Sequence, residues 1–381
     1  MSTAPRARSQ WLRAALLLAV SGAASLALAE CGVRALVPQP IGFSWLTADG
    51  LEVHVPGRHA VYQRSEFSAP VRFNTLGFRG GEFAIPKPPG TFRILALGDS
   101  YVEAMQVAEP DAMTTQIERA LAGGPRPVEV LNLGVSGYGS DDALDVLHTY
   151  GPRLEPDLVL LVFCLANDLE NNLLEERCQL TSAGVTCREP ERPSPRRLVF
   201  AHAKSWLSTS SQLYQATRAA FTSPFWQRIG LRAQLAQTSD AAMPFGHDLY
   251  RDPAPAYLQS ALALTQGLLG ALRNEAAQHG AELWILLVPL RDQVEDPRWS
   301  ALAVEEPTLL RDQPQRAITA IAEANGLPVV DPLPAFRALD SAGTRLFWRI
   351  DGHLDATGQR VIAEQVVAAL HARDLPGGRK P

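Results

Sequence analysis

The sequence predicts an α/β protein with three layers, in which a central parallel sheet lies between two layers of helices. From residue 91 onward, short apolar runs alternate with segments of helical periodicity, a pattern typical of parallel strands joined by crossover helices. The apolar runs are continuous, as expected for strands that are buried on both faces of a sheet. We also predict an N-terminal membrane helix, a small β-rich preamble and a large insertion.

The composition of the chain fits a globular protein and argues against nucleic-acid binding. Its 381 residues are 46% hydrophobic and 20% charged, with a formal net charge of −5. This length is sufficient for one large domain with an appendage or for two smaller domains. The chain is mildly acidic and has no basic block beyond its N-terminal start. It therefore lacks the positively charged surface that binds the phosphate backbone of a nucleic acid.

The N-terminal segment has the pattern of an export signal. Three arginines and no acidic residue occur within residues 1–13, and the sixteen residues from Ala14 to Ala29 carry no charge. Small residues up to Ala29 fit a cleavage site, which would give a secreted protein. The apolar pattern resumes after Glu30, however, and would extend a spanning helix to bilayer thickness. We therefore predict a single-pass anchor over residues 1–37 in the inner membrane, and the arginines place the remainder on the periplasmic or exterior side.

Residues 38–90 are predicted to form the preamble. They are rich in proline, glycine and aromatic residues and contain short alternating runs such as 69–73. We expect a small β-rich element that packs on the main domain. The proline-rich stretch 86–90 is a stiff connection into the first central strand.

The main domain is predicted over residues 91–375. Pro110 and Ser140 mark helix starts, and the pair Gly123-Gly124 marks a helix end. The predicted strands cover residues 93–97, 128–133, 157–163, 283–288 and 327–330. The predicted helices cover residues 110–123, 140–150, 255–279, 314–325 and 356–372. Residues 169–253 are too long for a connecting loop, so we predict an insertion there with structure of its own.

The first central strand ends in a sharp turn. Residues 93–97 are followed directly by Gly98, Asp99 and Ser100. Glycine permits the turn, and the Asp99 side chain can accept bonds from nearby backbone N–H groups. The sequence thus places Ser100 at the carboxyl edge of the sheet, which is where open α/β sheets bind their ligands. The alternative is that these three residues form only a turn.

Four other residues are expected at the same edge. Gly137 follows the second strand, Asn167 follows the third, and Asp351 and His353 lie in the loop before the last helix. With Ser100 they supply a nucleophile, a base with an orienting carboxylate, and oxyanion donors. Each also has a purely structural interpretation as a turn, strand-end or helix-start residue. Accidental convergence of four separate loops is a much weaker explanation.

The four cysteines do not indicate a metal site. No C-x-x-C pair is present and no histidine cluster has the spacing of zinc ligands, so we expect no metal and no cofactor. Cys178 and Cys187 flank a segment compatible with a hairpin that a disulfide could staple, and such a bond would persist outside the cytoplasm. Cys31 follows Glu30, where a lipidation site would have a small residue. Cys164 fits the core better than a nucleophile.

Together these motifs resemble the SGNH (GDSL-type) hydrolase superfamily over roughly residues 91–372. The segment 74–79, Asn-Thr-Leu-Gly-Phe-Arg, also resembles the preamble of membrane-anchored bacterial members. The resemblance implies a flavodoxin-like three-layer α/β/α fold. The matching blocks, in the order in which the family has them, are Gly98-Asp99-Ser100, Asn132 with Ser136-Gly137, Asn167-Asp168, and Asp351 with His353.

The resemblance also implies a role for each of these residues. Ser100 would be the nucleophile and one oxyanion donor, and Gly137 and Asn167 would be the other donors. His353 would be the general base, oriented by Asp351. The spacing Asp351-Gly352-His353 is one residue shorter than the better-known Asp-x-x-His pattern, and Asp355 is therefore the alternative carboxylate.

The implied reaction is acyl transfer from an ester through a serine-linked acyl-enzyme. The leading interpretation is a membrane-anchored esterase that acts on acylated carbohydrate or lipid outside the cytoplasm. The first alternative is an O-acyltransferase for cell-surface polysaccharide. The second is a non-catalytic glycan-binding domain that retains the fold.

The insertion is expected to cover the site and to determine specificity. It leaves the sheet directly after Asn167 and carries five large aromatic residues that could wall a pocket for an acyl chain or a sugar ring. The alternative is an oligomer or membrane contact. The aromatic residues are Trp206, Tyr214, Phe221, Phe225 and Trp226.

Overall fold

The computed structural model describes residues 4–37, 42–165, 167–174, 177–181, 184–188, 190–221 and 246–375. Its strands are β1 Ser44–Leu46, β2 Glu52–His54, β3 His59–Gln63, β4 Ser68–Arg72, β5 Phe92–Gly98, β6 Val128–Asn132, β7 Leu158–Cys164, β8 Cys178–Thr181, β9 Gly184–Cys187, β10 Glu282–Val288 and β11 Val329–Val330. Its helices are α1 Ala4–Leu36, α2 Ser100–Glu103, α3 Met113–Leu121, α4 Ser140–Leu154, α5 Asp168–Leu174, α6 Pro195–Ser210, α7 Gln212–Phe221, α8 Ala256–Gln278, α9 Arg291–Val294, α10 Asp296–Glu305, α11 Gln313–Ala324, α12 Leu333–Ser341 and α13 Ala356–Ala372.

The central sheet has five parallel strands in the order β6-β5-β7-β10-β11. Numbered along the chain, this order is 2-1-3-4-5, which is the flavodoxin-like arrangement. Strand β5 is an interior strand, next to the edge strand β6, and its Leu95 pairs with Leu131 of β6 on one side and with Val159 of β7 on the other. The predicted fold class is confirmed.

Helices cover both faces of this sheet. Every residue of β5 and β7 is buried, which explains their continuous apolar sequences. Alternate residues of the strands, such as Ile94, Leu160 and Leu286, form one core with α3, α12 and α13. On the opposite side, helix α8 packs against both α4 and α11. The predicted strands and crossover helices agree closely with the structure, whereas the sequence did not predict α9, α10 and α12.

The chain divides into two compact units. One unit comprises Met1–Trp45 and Ser194–Ala242, and its described helices are α1, α6 and α7. The other comprises Leu46–Pro193 and Met243–Pro381 and contains the sheet together with β2, β3 and β4 of the predicted preamble. Of the aromatic residues expected in the insertion, Phe225 and Trp226 lie outside the described residues.

Helix α1 is the one candidate membrane span among the described residues. It is long and apolar enough over Gln10–Leu36 to cross a bilayer. These 27 residues extend about 40 Å at 1.5 Å per residue, which exceeds the roughly 30 Å of a hydrocarbon core. The structure therefore contains the N-terminal apolar helix that the sequence predicts, as a candidate signal anchor or transmembrane span.

The first part of the insertion is a disulfide-linked hairpin. Strands β8 and β9 pair antiparallel, with Cys178 opposite Cys187, and the two cysteines are bonded to each other. Their side chains pack with Leu264 and Leu268 of α8. The hairpin that the cysteine spacing suggested is thus present, and it is attached to the unit that contains the sheet.

Gly98 occupies a position that a larger residue cannot take without strain. Its φ is +147°, and an added Cβ would lie 2.7 Å from the Val162 carbonyl oxygen of β7. Gly123 also has a positive φ, +81°, but nothing lies within 4 Å of its Cβ position. A comparison of substitutions at the two positions therefore separates the cost of a positive φ, which both share, from the cost of steric overlap, which only Gly98 has.

We expect Gly98→Ala to lower the free energy of unfolding by about 2–5 kcal/mol, because positive φ and overlap both oppose the new methyl group. Gly123→Ala should cost only about 1 kcal/mol, since only the backbone term applies. Urea unfolding of both variants measures the difference. Equal losses at the two positions would contradict a close approach of β5 and β7.

Candidate active site

The turn after β5 holds Ser100 at the carboxyl edge of the sheet. Ser100 is the first residue of the short helix α2, and Asp99 caps this helix by accepting a bond from the Tyr101 N–H at 2.9 Å. Strand β5 lies between β6 and β7, where connections to the two neighbours leave in opposite directions. Such a switch point opens a crevice at the carboxyl ends of the strands. Ser100 is thus placed where this fold binds ligands.

Ser100, His353 and Asp351 form a hydrogen-bonded chain. The Ser100 Oγ lies 2.8 Å from His353 Nε2, and His353 Nδ1 lies 2.7 Å from Asp351 Oδ1. A carboxylate only accepts, so Nδ1 carries the proton and Nε2 is left as the acceptor for the serine hydroxyl. The serine proton therefore has a base within direct reach.

The alternative carboxylate, Asp355, has a different position. It caps α13 by accepting bonds from the N–H groups of Thr357 at 2.9 Å and Gly358 at 3.1 Å. Its second oxygen pairs with Arg345. Asp351 is thus the carboxylate at the imidazole, and the short Asp-x-His spacing is compatible with the bond.

The three predicted oxyanion donors differ in what surrounds them. As the first residue of α2, Ser100 has an N–H without an intrahelical acceptor. Gly137 has a φ of +89°, and its carbonyl accepts a bond from Asn171 at 3.1 Å. Asn167 donates one amide hydrogen to Asp99 at 3.0 Å, which leaves the second hydrogen of that amide for another acceptor.

A family model matches the C-terminal part of the chain. Residues 247–381 match the family model described as an SGNH hydrolase-like domain, acetyltransferase AlgX. This match covers 135 of the 381 residues, so the SGNH hydrolase-like assignment applies to the C-terminal part of the chain. The predicted resemblance to this superfamily is confirmed. The matched residues include Asp351 and His353, whereas Ser100 lies before them in the chain. No curated protein matches the sequence significantly.

Several solved structures resemble the chain at low identity. A lipase/acylhydrolase from Enterococcus faecalis has 15% identity and a TM-score of 0.38, with 74% of this chain and 96% of that chain covered. The esterase EstA from a Pseudoalteromonas species has 16% identity and a TM-score of 0.38, with coverage of 74% and 97%. An acetyl xylan esterase, AlAXEase, has 11% identity and a TM-score of 0.40, with coverage of 73% and 100%.

A buried polar network supports the turn that carries Gly137. Glu103, three residues after Ser100, contacts the His54 imidazole with one oxygen and accepts a bond from the Ser136 hydroxyl with the other. Burial would raise the pKa of Glu103, but His54 and Ser136 lower it below its ordinary value. Asn132 joins the same loops, since it donates to the Val102 carbonyl at 2.6 Å. Sequence reasoning did not find His54 or Glu103.

The loop that carries Asp351 and His353 is held by Glu66, which lies between β3 and β4. The Glu66 carboxylate accepts bonds from the N–H groups of Arg349 at 2.9 Å, Ile350 at 2.7 Å and Asp351 at 2.8 Å. Partial desolvation raises the pKa of Glu66, but these three bonds lower it overall. Because the pKa of Glu66 is lowered in the folded protein, its charged carboxylate and these three bonds are present at neutral pH. The stabilisation is lost as the pH falls through that pKa.

No part of the described chain assembles a metal centre. Among the described residues, no group of three or more histidine, cysteine, aspartate or glutamate side chains could hold a metal ion.

We expect Glu66→Gln to lower kcat about 10- to 100-fold with little change in KM, because a misplaced base affects the reaction more than substrate binding. Hydrolysis of p-nitrophenyl acetate measures both constants. Glu82→Gln is the matched control, since Glu82 also bonds a backbone N–H, that of Thr75, but touches no residue of the His353 loop. A Glu66→Ala protein with native kcat would contradict this positioning role.

Proposed function

We propose that this protein is a serine-dependent acyl-ester enzyme of the SGNH type, with hydrolysis of acylated carbohydrate or lipid as its reaction. The observation that carries the proposal is the hydrogen-bonded chain from Ser100 through His353 to Asp351 at the carboxyl edge of the sheet. A domain that only binds glycans has no need of a base 2.8 Å from a serine hydroxyl. The geometry therefore favours catalysis over the non-catalytic alternative.

In the first half-reaction His353 Nε2 takes the Ser100 proton while Oγ attacks the ester carbonyl carbon. The resulting oxyanion accepts bonds from the N–H groups of Ser100 and Gly137 and from the second amide hydrogen of Asn167. Asp351 stabilises the imidazolium through Nδ1. The intermediate collapses when the carbon–oxygen bond to the alcohol breaks and His353 returns the proton to the leaving oxygen.

In the second half-reaction His353 takes a proton from the incoming nucleophile. Attack on the Ser100 ester gives a second tetrahedral intermediate at the same oxyanion donors, and its collapse returns the proton to Ser100 Oγ. Water as nucleophile releases the free acid. A sugar hydroxyl as nucleophile would release a new ester, so the two outcomes share every residue named above.

The second candidate function is O-acyl transfer to cell-surface polysaccharide. It is supported by the description of the family model that residues 247–381 match, which names an acetyltransferase. The identity of the nucleophile in the second half-reaction separates this function from hydrolysis.

We further propose that α1 anchors the enzyme in the inner membrane and that the SGNH domain faces the periplasm or exterior. The basic residues before the apolar stretch support this orientation. The disulfide between Cys178 and Cys187 is consistent with an oxidising compartment. Cleavage near Ala29 would instead give a secreted enzyme with the same site.

A fluorophosphonate probe tests the nucleophile. We expect a single adduct on Ser100 by mass spectrometry, because Ser100 is the serine whose hydroxyl has a histidine base. Ser100→Ala should abolish labelling, and Asp351→Asn should slow it by about 10²- to 10⁴-fold through loss of the correct tautomer. Asp355→Asn is the control that leaves the imidazole partner in place. An adduct on another serine of the folded protein would remove the assignment.

An acceptor-competition experiment tests the second half-reaction. With an acetyl ester as donor, we expect free acetate as the product whether or not O-deacetylated polysaccharide is added, if hydrolysis is the reaction. Transfer would instead give glycan-bound acetate at the expense of free acetate, read by NMR of the polysaccharide. Ser100→Ala provides the background for both products. Dominant glycan acetylation would replace hydrolysis by the transferase function.

A further inference from the structure

Helix α6 has its polar side buried and its apolar side exposed. Ser205, Ser208 and Thr209 are only 6%, 8% and 6% exposed. Phe200 and Trp206, on the other side, are 75% and 65% exposed. Val199, at 71%, extends the same apolar side at helical spacing. A helix that is simply packed on a soluble core would show the reverse arrangement.

The polar side of α6 is covered by the segment that follows α1. The Gly42 N–H donates to the Ser208 carbonyl at 3.2 Å, and the Ser205 hydroxyl donates to the Ser44 carbonyl at 2.7 Å. The ring of Trp45 stacks on His202 with their centroids 3.7 Å apart. The orientation of α6 is therefore fixed by hydrogen bonds, and its apolar side is directed away from this segment.

The turn between α6 and α7 is tied to the end of the apolar stretch of α1. The Glu30 carboxylate accepts bonds from the Ser211 hydroxyl at 2.8 Å, the Gln212 N–H at 2.9 Å and the Leu213 N–H at 2.8 Å. Arg34 donates to Glu30 at 2.6 Å and also to the Ser210 carbonyl. Glu30 is the first charged residue after Arg13 in the chain.

This bonding fixes the depth of the C-terminal end of α6 relative to a bilayer that α1 spans. Residues 10–29 of α1 already extend about 30 Å at 1.5 Å per residue, and charged groups are expelled from the hydrocarbon core, so Glu30 marks the outer polar boundary. The turn at residues 210–213 is bonded to Glu30 and lies at the same level. Helix α6 has 16 residues, about 24 Å at 1.5 Å per residue, and it ends at that turn.

The charge around the apolar side fits an anionic lipid surface. Residues 190–221 contain five basic residues and one acidic residue, Glu191. Basic side chains beside exposed aromatic and aliphatic residues are typical of helices that lie in the membrane interface. The basic residues are Arg192, Arg196, Arg197, Lys204 and Arg218.

We propose that α6 lies in the outer interface of the membrane that α1 spans, with Val199, Phe200 and Trp206 inserted at the boundary between headgroups and acyl chains. This inference rests on the anchoring proposed above and is independent of the ester chemistry. It assigns Trp206 to lipid contact, whereas its expected role as part of a cover over the active site stays a prediction.

The test uses the full-length chain in phosphatidylglycerol-containing nanodiscs, with an NBD fluorophore on Trp206→Cys in a Cys31→Ser background. Lipids that carry a nitroxide at acyl carbon 5 should quench the fluorophore at least threefold more than lipids that carry it at carbon 12. Val304→Cys is the matched control, since Val304 is 81% exposed but belongs to the unit that contains the sheet. Its fluorophore should be quenched only by aqueous iodide.

Two further variants separate the possible failures. A fluorophore on Leu17→Cys reports whether α1 spans, and strong quenching by carbon-12 nitroxide is expected. If Leu17 is quenched and position 206 is not, the α6 proposal fails and the anchor stands. If Leu17 is not quenched either, both fail. Shielding of position 206 from iodide without lipid quenching would mean that a protein covers the helix, which also overturns the proposal.

A charge on the apolar side provides a second measurement. We expect Phe200→Asp to reduce the carbon-5 quenching at position 206 at least threefold, because a carboxylate resists insertion. Thr217→Asp, at an exposed position of α7, should leave it unchanged. Equal quenching in both variants would overturn the placement of α6 in the interface.

Discussion

The site depends on one contact, the 2.8 Å bond between Ser100 and His353, which joins residues 253 positions apart in the chain. The serine lies on a turn that follows strand β5 of the sheet, and the histidine lies on a loop that follows no strand of the sheet. This bond requires that contacts with other parts of the chain fix both loops, because each loop would otherwise sample many conformations. The residues that hold them come largely from the segment before β5.

The preamble is therefore a support for the site as well as an approach to the sheet. Glu66 binds the N–H groups of the His353 loop, and His54 contacts Glu103, which in turn binds the hydroxyl of Ser136 beside Gly137. Arg79 is buried and donates to the Glu103 carbonyl at 2.8 Å, on the segment that follows Ser100. Burial lowers the pKa of Arg79 to about 10, and its guanidinium satisfies backbone carbonyls that would otherwise lack partners.

The elements that the sequence predicted well are those with a local signal. The strands of the sheet are continuous apolar runs, and the predicted final helix over residues 356–372 coincides with α13. The positions of Ser100 and Asn167 followed from strand ends in a parallel sheet. Glu66 has no such signal, because it meets its partners across 283 or more residues and its neighbours in sequence do not reveal them. His54 and Glu103 also lack a local signal, because they contact each other only in the folded chain.

Asp99 illustrates how burial shapes the electrostatics of the turn that carries Ser100. Desolvation raises its pKa, while the N–H of Tyr101 and the amide of Asn167 oppose that effect. Asp168, also buried, has a strongly raised pKa for the same reason, and repulsion from Asp99 adds to it. Burial favours the neutral form of both carboxyl groups, and the bond from Asn167 to Asp99 holds the Asn167 amide beside the turn that carries Ser100.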